Sequence, residues 1–186
     1  KRLYKLKNMA DLIRDEIESW AQDHNVRFDE ARRIASLDIL RNIPDGSELK
    51  IAYVENALLL GFGYYQHWFI ILADIHIIEF GSADLNHESA RVNINQIPRN
   101  NASIRGSQPL TNGVRQRIEH VLGMTNYSLC LRNCEHVANY IYQGTWISHQ
   151  IGNLKNNPGV SAEILKFFMH EKKDLVNTFP SAIRPH

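Results

Sequence analysis

The spacing of apolar positions divides the chain into three stretches. From about Met9 to Ile43 the period is helical, with Leu12, Ile13, Ile17 and Trp20 on one side and Asp11, Arg14, Asp15 and Glu18 on the other. A second helix is predicted from near Asp29 to Arg41, burying Ala31, Ile34, Leu37, Ile39 and Leu40, and the run Asn42-Ile43-Pro44-Asp45-Gly46 stops it. The middle stretch changes to a period of two. Leu49, Ile51 and Tyr53 alternate with Lys50 and Ala52 as in a half-buried strand, and Gly61 to Tyr65 leads into the strand Gln66 to Leu72. A short turn near Asp74 returns the chain through Ile77-Ile78-Glu79-Phe80, making a hairpin. Asn86 to Thr111 is polar with short apolar pieces such as Val92 and Ile94, and reads as one or two edge strands and a long loop. The third stretch is helical again. Val114, Ile118, Val121 and Leu122 form one stripe ended by Gly123, and Tyr127-Ser128-Leu129 is a short extended piece. Asn133 to Tyr142 is a further helix closed by Gly144, and Ser161 to Val176 is one more on the tail. Helices flanking a hairpin-rich middle give an α+β class with an antiparallel sheet packed against helices.

Composition narrows the range of functions. A chain of 186 residues, 44% hydrophobic and 22% charged, is long enough for one domain with its own core. The formal net charge of +1 gives no electrostatic basis for binding nucleic acid. The basic groups Lys1, Arg2, Lys5 and Lys7, and the pair Arg115 and Arg117, read as solvated surface because no aromatic stacking partners are interleaved with them. Two cysteines, Cys130 and Cys134, are fewer than a secreted scaffold of this size usually carries. No apolar run is of bilayer-spanning length and no signal-peptide pattern opens the sequence, so a cytoplasmic protein is expected.

Two residues draw attention for their chemistry. Asn133 is a competent N-cap, which puts Cys134 in the first turn of its helix, where unpaired N–H groups and the helix dipole favour a thiolate. Val137, Ala138 and Ile141 follow at helical spacing, so the Cys134 side is expected to face the sheet. The commoner fate of a free cysteine is a small buried hydrophobe. His67, however, interrupts an otherwise apolar strand, and a buried imidazole needs partners for both ring nitrogens. With a three-residue loop through Asp74-Ile75-His76, Glu79 shares the face of His67 and is placed to fix its tautomer. With a two-residue loop the parity flips, and His76 takes that face instead. The bland alternatives are a satisfied core histidine at His67 and an exposed strand residue at Glu79. Cys130, Cys134 and His136 cluster without the spacing of a structural zinc site, so neither a metal nor another cofactor is expected.

These residues also carry a resemblance. The strand Tyr65-Gln66-His67-Trp68-Phe69-Ile70-Ile71, then Ile77-Ile78-Glu79-Phe80-Gly81, then Asn133-Cys134-Glu135-His136-Val137 resemble, in that order, the lecithin–retinol acyltransferase-like (LRAT-like) family. The likeness covers about Glu48 to Ile151, and the helix from Arg117 to Gly123 and the ending Tyr142-Gln143-Gly144 look like family features too. It implies a circularly permuted relative of the NlpC-type papain-like fold, with the histidine strand before the cysteine helix. It further implies that Cys134 attacks an acyl carbonyl, that His67 takes its proton, and that a thioester forms and is passed on. The third polar position falls on Glu79, where the family usually has a second histidine, with His76 as the alternate.

The expected organisation is a helical extension over 1–45, the LRAT-like domain over 46–151 and a tail with one helix over 152–186. The implied substrate is an acyl-bearing lipid or small-molecule ester, acted on by a thiol acyltransferase or acyl hydrolase. The alternatives are an NlpC-type cysteine amidase or peptidase, and a binding module without catalysis. Family members in cells usually carry a membrane-anchoring hydrophobic C-terminus, and this tail shows none. Its apolar cluster Ile164, Leu165, Phe167, Phe168 and Met169, followed by Glu171-Lys172-Lys173, is expected to pack on the domain, with peripheral contact to a bilayer as the alternative. The N-terminal helices are read as a cap on the sheet, a cover for the site, or a surface for a protein partner.

Overall fold

A computed structural model describes residues 27–57, 64–81, 89–96, 101–127 and 132–150. The helices expected around Leu12 to Trp20 and over Ser161 to Val176, and Cys130, lie outside these residues. The chain is α+β: five antiparallel strands and three helices among the described residues. Helix α1 spans Glu30–Arg41; strands β1 to β5 span Glu48–Ala57, Tyr64–Leu72, His76–Gly81, Arg91–Asn95 and Ser103–Pro109; helices α2 and α3 span Asn112–Val121 and Cys134–Gln143. The sheet order is β4-β3-β2-β1-β5. The first four strands form a meander, and β5 comes round to pair with the free side of β1, so the polar stretch after Asn86 supplies both edges of the sheet.

The β2–β3 hairpin decides which side chains share a face. Its loop has three residues, Ala73, Asp74 and Ile75, and Leu72 pairs with His76. The loop lies one residue earlier than the sequence suggested, because Ala73 and Asp74 take left-handed conformations with φ of 53° and 59° that no glycine advertises. Parity is the same as for a loop over 74–76: Phe69 sits opposite Glu79, so odd-numbered residues of both strands share one face. That face carries a small cluster of Phe69, Ile77 and Ala52, with Ile71, Val54 and Ala102 packed on it. The even face carries the main core, where Ile70, Leu72, Ile78 and Phe80 are covered by Val137, Ala138 and Ile141 of α3. Leu40 and Ile43, from α1 and the turn after it, join this same core.

Two helices depart from the pattern read in the sequence. In α1 the inward positions are Ser36 and Leu40, with Leu37 and Ile39 packed alongside, while Ala31 is exposed and Ile34 is 58% exposed. The Ser36 hydroxyl accepts a hydrogen bond from Ile94 N at 3.1 Å, so a polar residue satisfies the β4 backbone where the stripe called for an apolar one. In α3 the side facing the sheet is not the only buried one, for every residue from Cys134 to Ile141 is buried. Residues 145–150 account for this. Trp146 stacks on His136 with ring centroids 5.4 Å apart, and Ile147 O accepts from Asn139 Nδ2 at 2.9 Å, closing the outer side of the helix. No helix among the described residues is long and apolar enough to cross a membrane.

Candidate active site

Helix α3 begins with two reciprocal hydrogen bonds. Asn133 Oδ1 accepts from His136 N at 3.0 Å, and His136 Nδ1 accepts from Asn133 N at 3.3 Å, a capping box with histidine in the third helical position. Cys134 therefore occupies the first helical position, and it is 1% exposed. At the other end, Gly144 ends the helix with φ of 78°, and its N–H returns to Tyr140 O.

The thiol arrives from the helix-covered face of the sheet, whereas His67 belongs by strand alternation to the opposite face. They meet because β2 and β3 part company. Pairing between them ends at Phe69 and Glu79, leaving the edge of β2 at Gln66 and Trp68 without β3. Side chains take over those backbone groups. Trp68 N donates to Cys134 Sγ at 3.4 Å, Gln66 O lies 3.9 Å from the same sulfur, and Gln66 N donates to Gln150 Oε1 at 2.9 Å. The sulfur thus sits at the edge of β2 that β3 has left. The sulfur accepts from the Trp68 N–H and faces the Gln66 carbonyl oxygen, to which a thiol can donate.

On the other face, His67 Nε2 lies 2.8 Å from Glu79 Oε2, and both side chains are 13% exposed. Glu79 is itself held: Asn95 Nδ2 donates to its Oε1 at 3.2 Å. The imidazole also lies beside the Phe69 ring and is hydrogen-bonded to Cys134. With Nε2 committed to Glu79, Nδ1 is the nitrogen left for the sulfur. Burial acts on this ring to depress its pKa and is the largest single effect. Hydrogen bonds to Cys134 and Glu79, with attraction to both negative groups, outweigh it and push the pKa up to about 9. The attraction of Cys134 and Glu79 thus favours the imidazolium form of His67 at neutral pH. The attraction is mutual, so it favours the Cys134 thiolate as well.

Of the two residues considered for the third position, Glu79 is the one that reaches His67. His76 pairs with Leu72 on the other face, and its buried Nδ1 has no hydrogen-bond partner among the described residues. The hairpin parity removes His76 from the site. Among the described residues no three His, Cys, Asp or Glu side chains are grouped to hold a metal ion, Cys130 lies outside those residues, and His136 is taken up by the helix cap. Glu135, read in the sequence only as part of a motif, has a clear structural task. Its Oε2 accepts from Ser148 Oγ at 2.6 Å and from Gln150 N at 2.9 Å, and Ser148 Oγ accepts from Asn133 Nδ2 at 3.1 Å. Glu135 is thereby the peg on which the 145–150 segment hangs.

Asn95, Trp68 N–H and Gln150 were not singled out in the sequence. Asn95 had a faint signal, since Arg91, Asn93 and Asn95 alternate with Val92 and Ile94, but its meeting with Glu79 depends on the β3–β4 register. For Gln150 there was none, as its place depends on a segment folding back over α3. No family model matches the chain, and neither a curated protein nor a solved structure matches it.

Proposed function

We propose that the chain is a thiol-dependent acyltransferase or acyl hydrolase, in which Cys134 is the nucleophile, His67 the acid and base, and Glu79 the group that holds His67. The single observation behind this reading is the division of the imidazole: Nε2 bonds Glu79 at 2.8 Å while the same ring is hydrogen-bonded to Cys134. A histidine satisfied for packing alone has no need of a thiol at a helix start on one side and a shielded carboxylate on the other. The proposed fold is the permuted papain-like arrangement of the LRAT-like family. The order of histidine strand and cysteine helix supports it, as does the antiparallel sheet across which they meet.

In the proposed reaction the Cys134 thiolate attacks the carbonyl carbon of an acyl ester. The tetrahedral species collapses, the bond to the leaving alcohol breaks, and the His67 imidazolium gives that alcohol its proton. A Cys134 thioester remains. An acceptor alcohol, amine or water then loses a proton to His67 as it attacks, and the thiolate is restored. The acyl donor we propose is a lipid or other acyl ester, encountered in the cytoplasm at or near a membrane surface.

The test is intact-protein mass spectrometry after incubation with phospholipid carrying a labelled acyl chain. The expected result is one added acyl group on Cys134, absent from Cys134→Ala and much reduced in His67→Ala. Cleavage of amide substrates without any lipid-derived adduct indicates the amidase or peptidase reading instead. No adduct with either substrate, together with indistinguishable behaviour of wild type and Cys134→Ala in cells, refutes catalysis and leaves a binding module.

A further inference from the structure

One buried polar atom belongs to a side chain held on the same edge of β2 as the thiol. The Gln150 carboxamide is oriented without ambiguity, because its Oε1 accepts from Gln66 N at 2.9 Å and a reversed amide would set two N–H groups against each other. Its backbone is fixed as well, through the 2.9 Å bond from Gln150 N to Glu135 Oε2. This leaves Nε2 buried with no hydrogen-bond partner among the described residues. An amide donor in that state costs about 1–3 kcal/mol, and natural folds rarely retain one without a reason.

Its position supplies the reason. The edge of β2 that β3 abandons presents Gln66 N, Gln66 O and Trp68 N in sequence, all on one side of the strand. Gln150 sits on the first of these and Cys134 Sγ on the other two. The two backbone nitrogens are two residues apart, about 7 Å along a strand, so the carboxamide and the sulfur are neighbours on one edge. The sulfur reaches back from Trp68 N to Gln66 O, toward the carboxamide held on Gln66 N.

We propose that Gln150 Nε2 donates the hydrogen bond that receives the substrate's carbonyl oxygen when Cys134 attacks. This rests on the acyl-transfer reading above and adds a catalytic residue to it. As the S–C bond forms, the carbonyl π pair moves onto oxygen, and the Nε2–H group meets the developing negative charge. When the pair returns, the bond to the leaving oxygen breaks and that oxygen takes the His67 proton. Glu135, one step removed, is a positioning residue that fixes Gln150 through its backbone.

The experiment compares two reactions of the same sulfur in the full chain. Alkylation by iodoacetamide builds no oxyanion, whereas acylation by p-nitrophenyl acetate does. Gln150→Glu keeps an acceptor for Gln66 N and removes the donor, and Gln150→Met removes the donor without adding charge. If one variant unfolds by circular dichroism, the other serves. The expected result is acylation slowed about 100-fold in kcat with KM little changed, the usual loss for one oxyanion donor, and alkylation within about threefold of wild type. Equal acylation by wild type and variants overturns the assignment, and so does a parallel loss of both reactions, which marks a merely structural glutamine. Failure of the wild type itself to be acylated by this ester or by lipid refutes the acyl-transfer reading first, and the role of Gln150 falls with it.

Discussion

Replacing Glu79 by glutamine removes a charge from the site while leaving an oxygen where His67 Nε2 needs one. The structure sets the scale of the effect. The His67 pKa of about 9 against an ordinary 6.5 corresponds to about 3 kcal/mol in favour of the charged ring, at about 1.4 kcal/mol per pKa unit. Burial pulls the other way, so the attractions to Cys134 and Glu79 together exceed that figure. A carboxylate 2.8 Å away, with both side chains 13% exposed, is little screened by water. Taking it as about half the attraction, Glu79→Gln lowers the ring's pKa by about 1 to 2 pKa units. Heteronuclear NMR of the His67 ring from pH 5.5 to 10 measures this directly. Stability follows with a definite sign. A pKa raised on folding contributes stability that is fully present below pH 6.5 and is lost as pH rises through about 9. The melting temperatures of wild type and Glu79→Gln therefore differ most near pH 6 and converge by pH 10. A ring in Glu79→Gln that still titrates near pH 9, or a wild-type ring that titrates near 6.5, refutes the reasoning.

Other substitutions test other parts of the site. Cys134→Ala removes the thiol attraction and lowers the His67 ring pKa, read by the same titration, while the fold persists by circular dichroism. Glu135→Ala leaves Ser148 Oγ and Gln150 N without their shared buried acceptor, and urea denaturation at neutral pH is expected to show a loss of about 3 kcal/mol or more. Gly123→Ala puts a Cβ 2.7 Å from Asp29 O at a φ of 78°, and is expected to cost about 2 kcal/mol or more in the same assay. Gly81→Ala is the contrasting case: its Cβ meets His67 Cε1 at 3.6 Å, an ordinary contact, and stability and the His67 titration stay close to wild type.

The parts of this site that the sequence disclosed are those governed by local chemistry. An Asn before a Cys at the start of an apolar helical stripe is a cap followed by a first-turn thiol, and the structure has that geometry. A histidine inside Gln66 to Leu72 announces itself by breaking an apolar strand. Glu79 was legible only as one of two alternatives, because its face depends on the length of a loop that contains no glycine. The inward side of α1 was misread since Ile34, Leu37, Ile39 and Leu40 spread over more than half the helix circumference, so several faces fit the pattern equally. What chose between them was a distant requirement, the Ile94 N–H seeking an acceptor at Ser36. Glu135 and Gln150 were invisible for the same reason. Both act through the folding back of residues 145–150, which no periodicity encodes.

For the proposed acyl transfer, a glutamate at the third position raises a question of mechanism, since a ring with a pKa of about 9 is a weak acid at neutral pH for protonating a leaving group. The proposed reaction itself supplies the correction. Among the influences that raise the His67 pKa, the hydrogen bond to Cys134 is the largest, and attraction to the sulfur's charge adds to it. When the sulfur forms a bond to an acyl carbon it ceases to be an anion, and both influences weaken while burial continues to press the pKa down. The ring becomes acidic at the moment a leaving oxygen requires a proton. Glu79, untouched by this change, keeps the ring oriented and leaves it basic enough to deprotonate the next acceptor. In the proposed reaction a carboxylate partner thus keeps the resting ring charged, and proton transfer is driven by the loss of charge on sulfur rather than by a ring poised near neutrality from the outset.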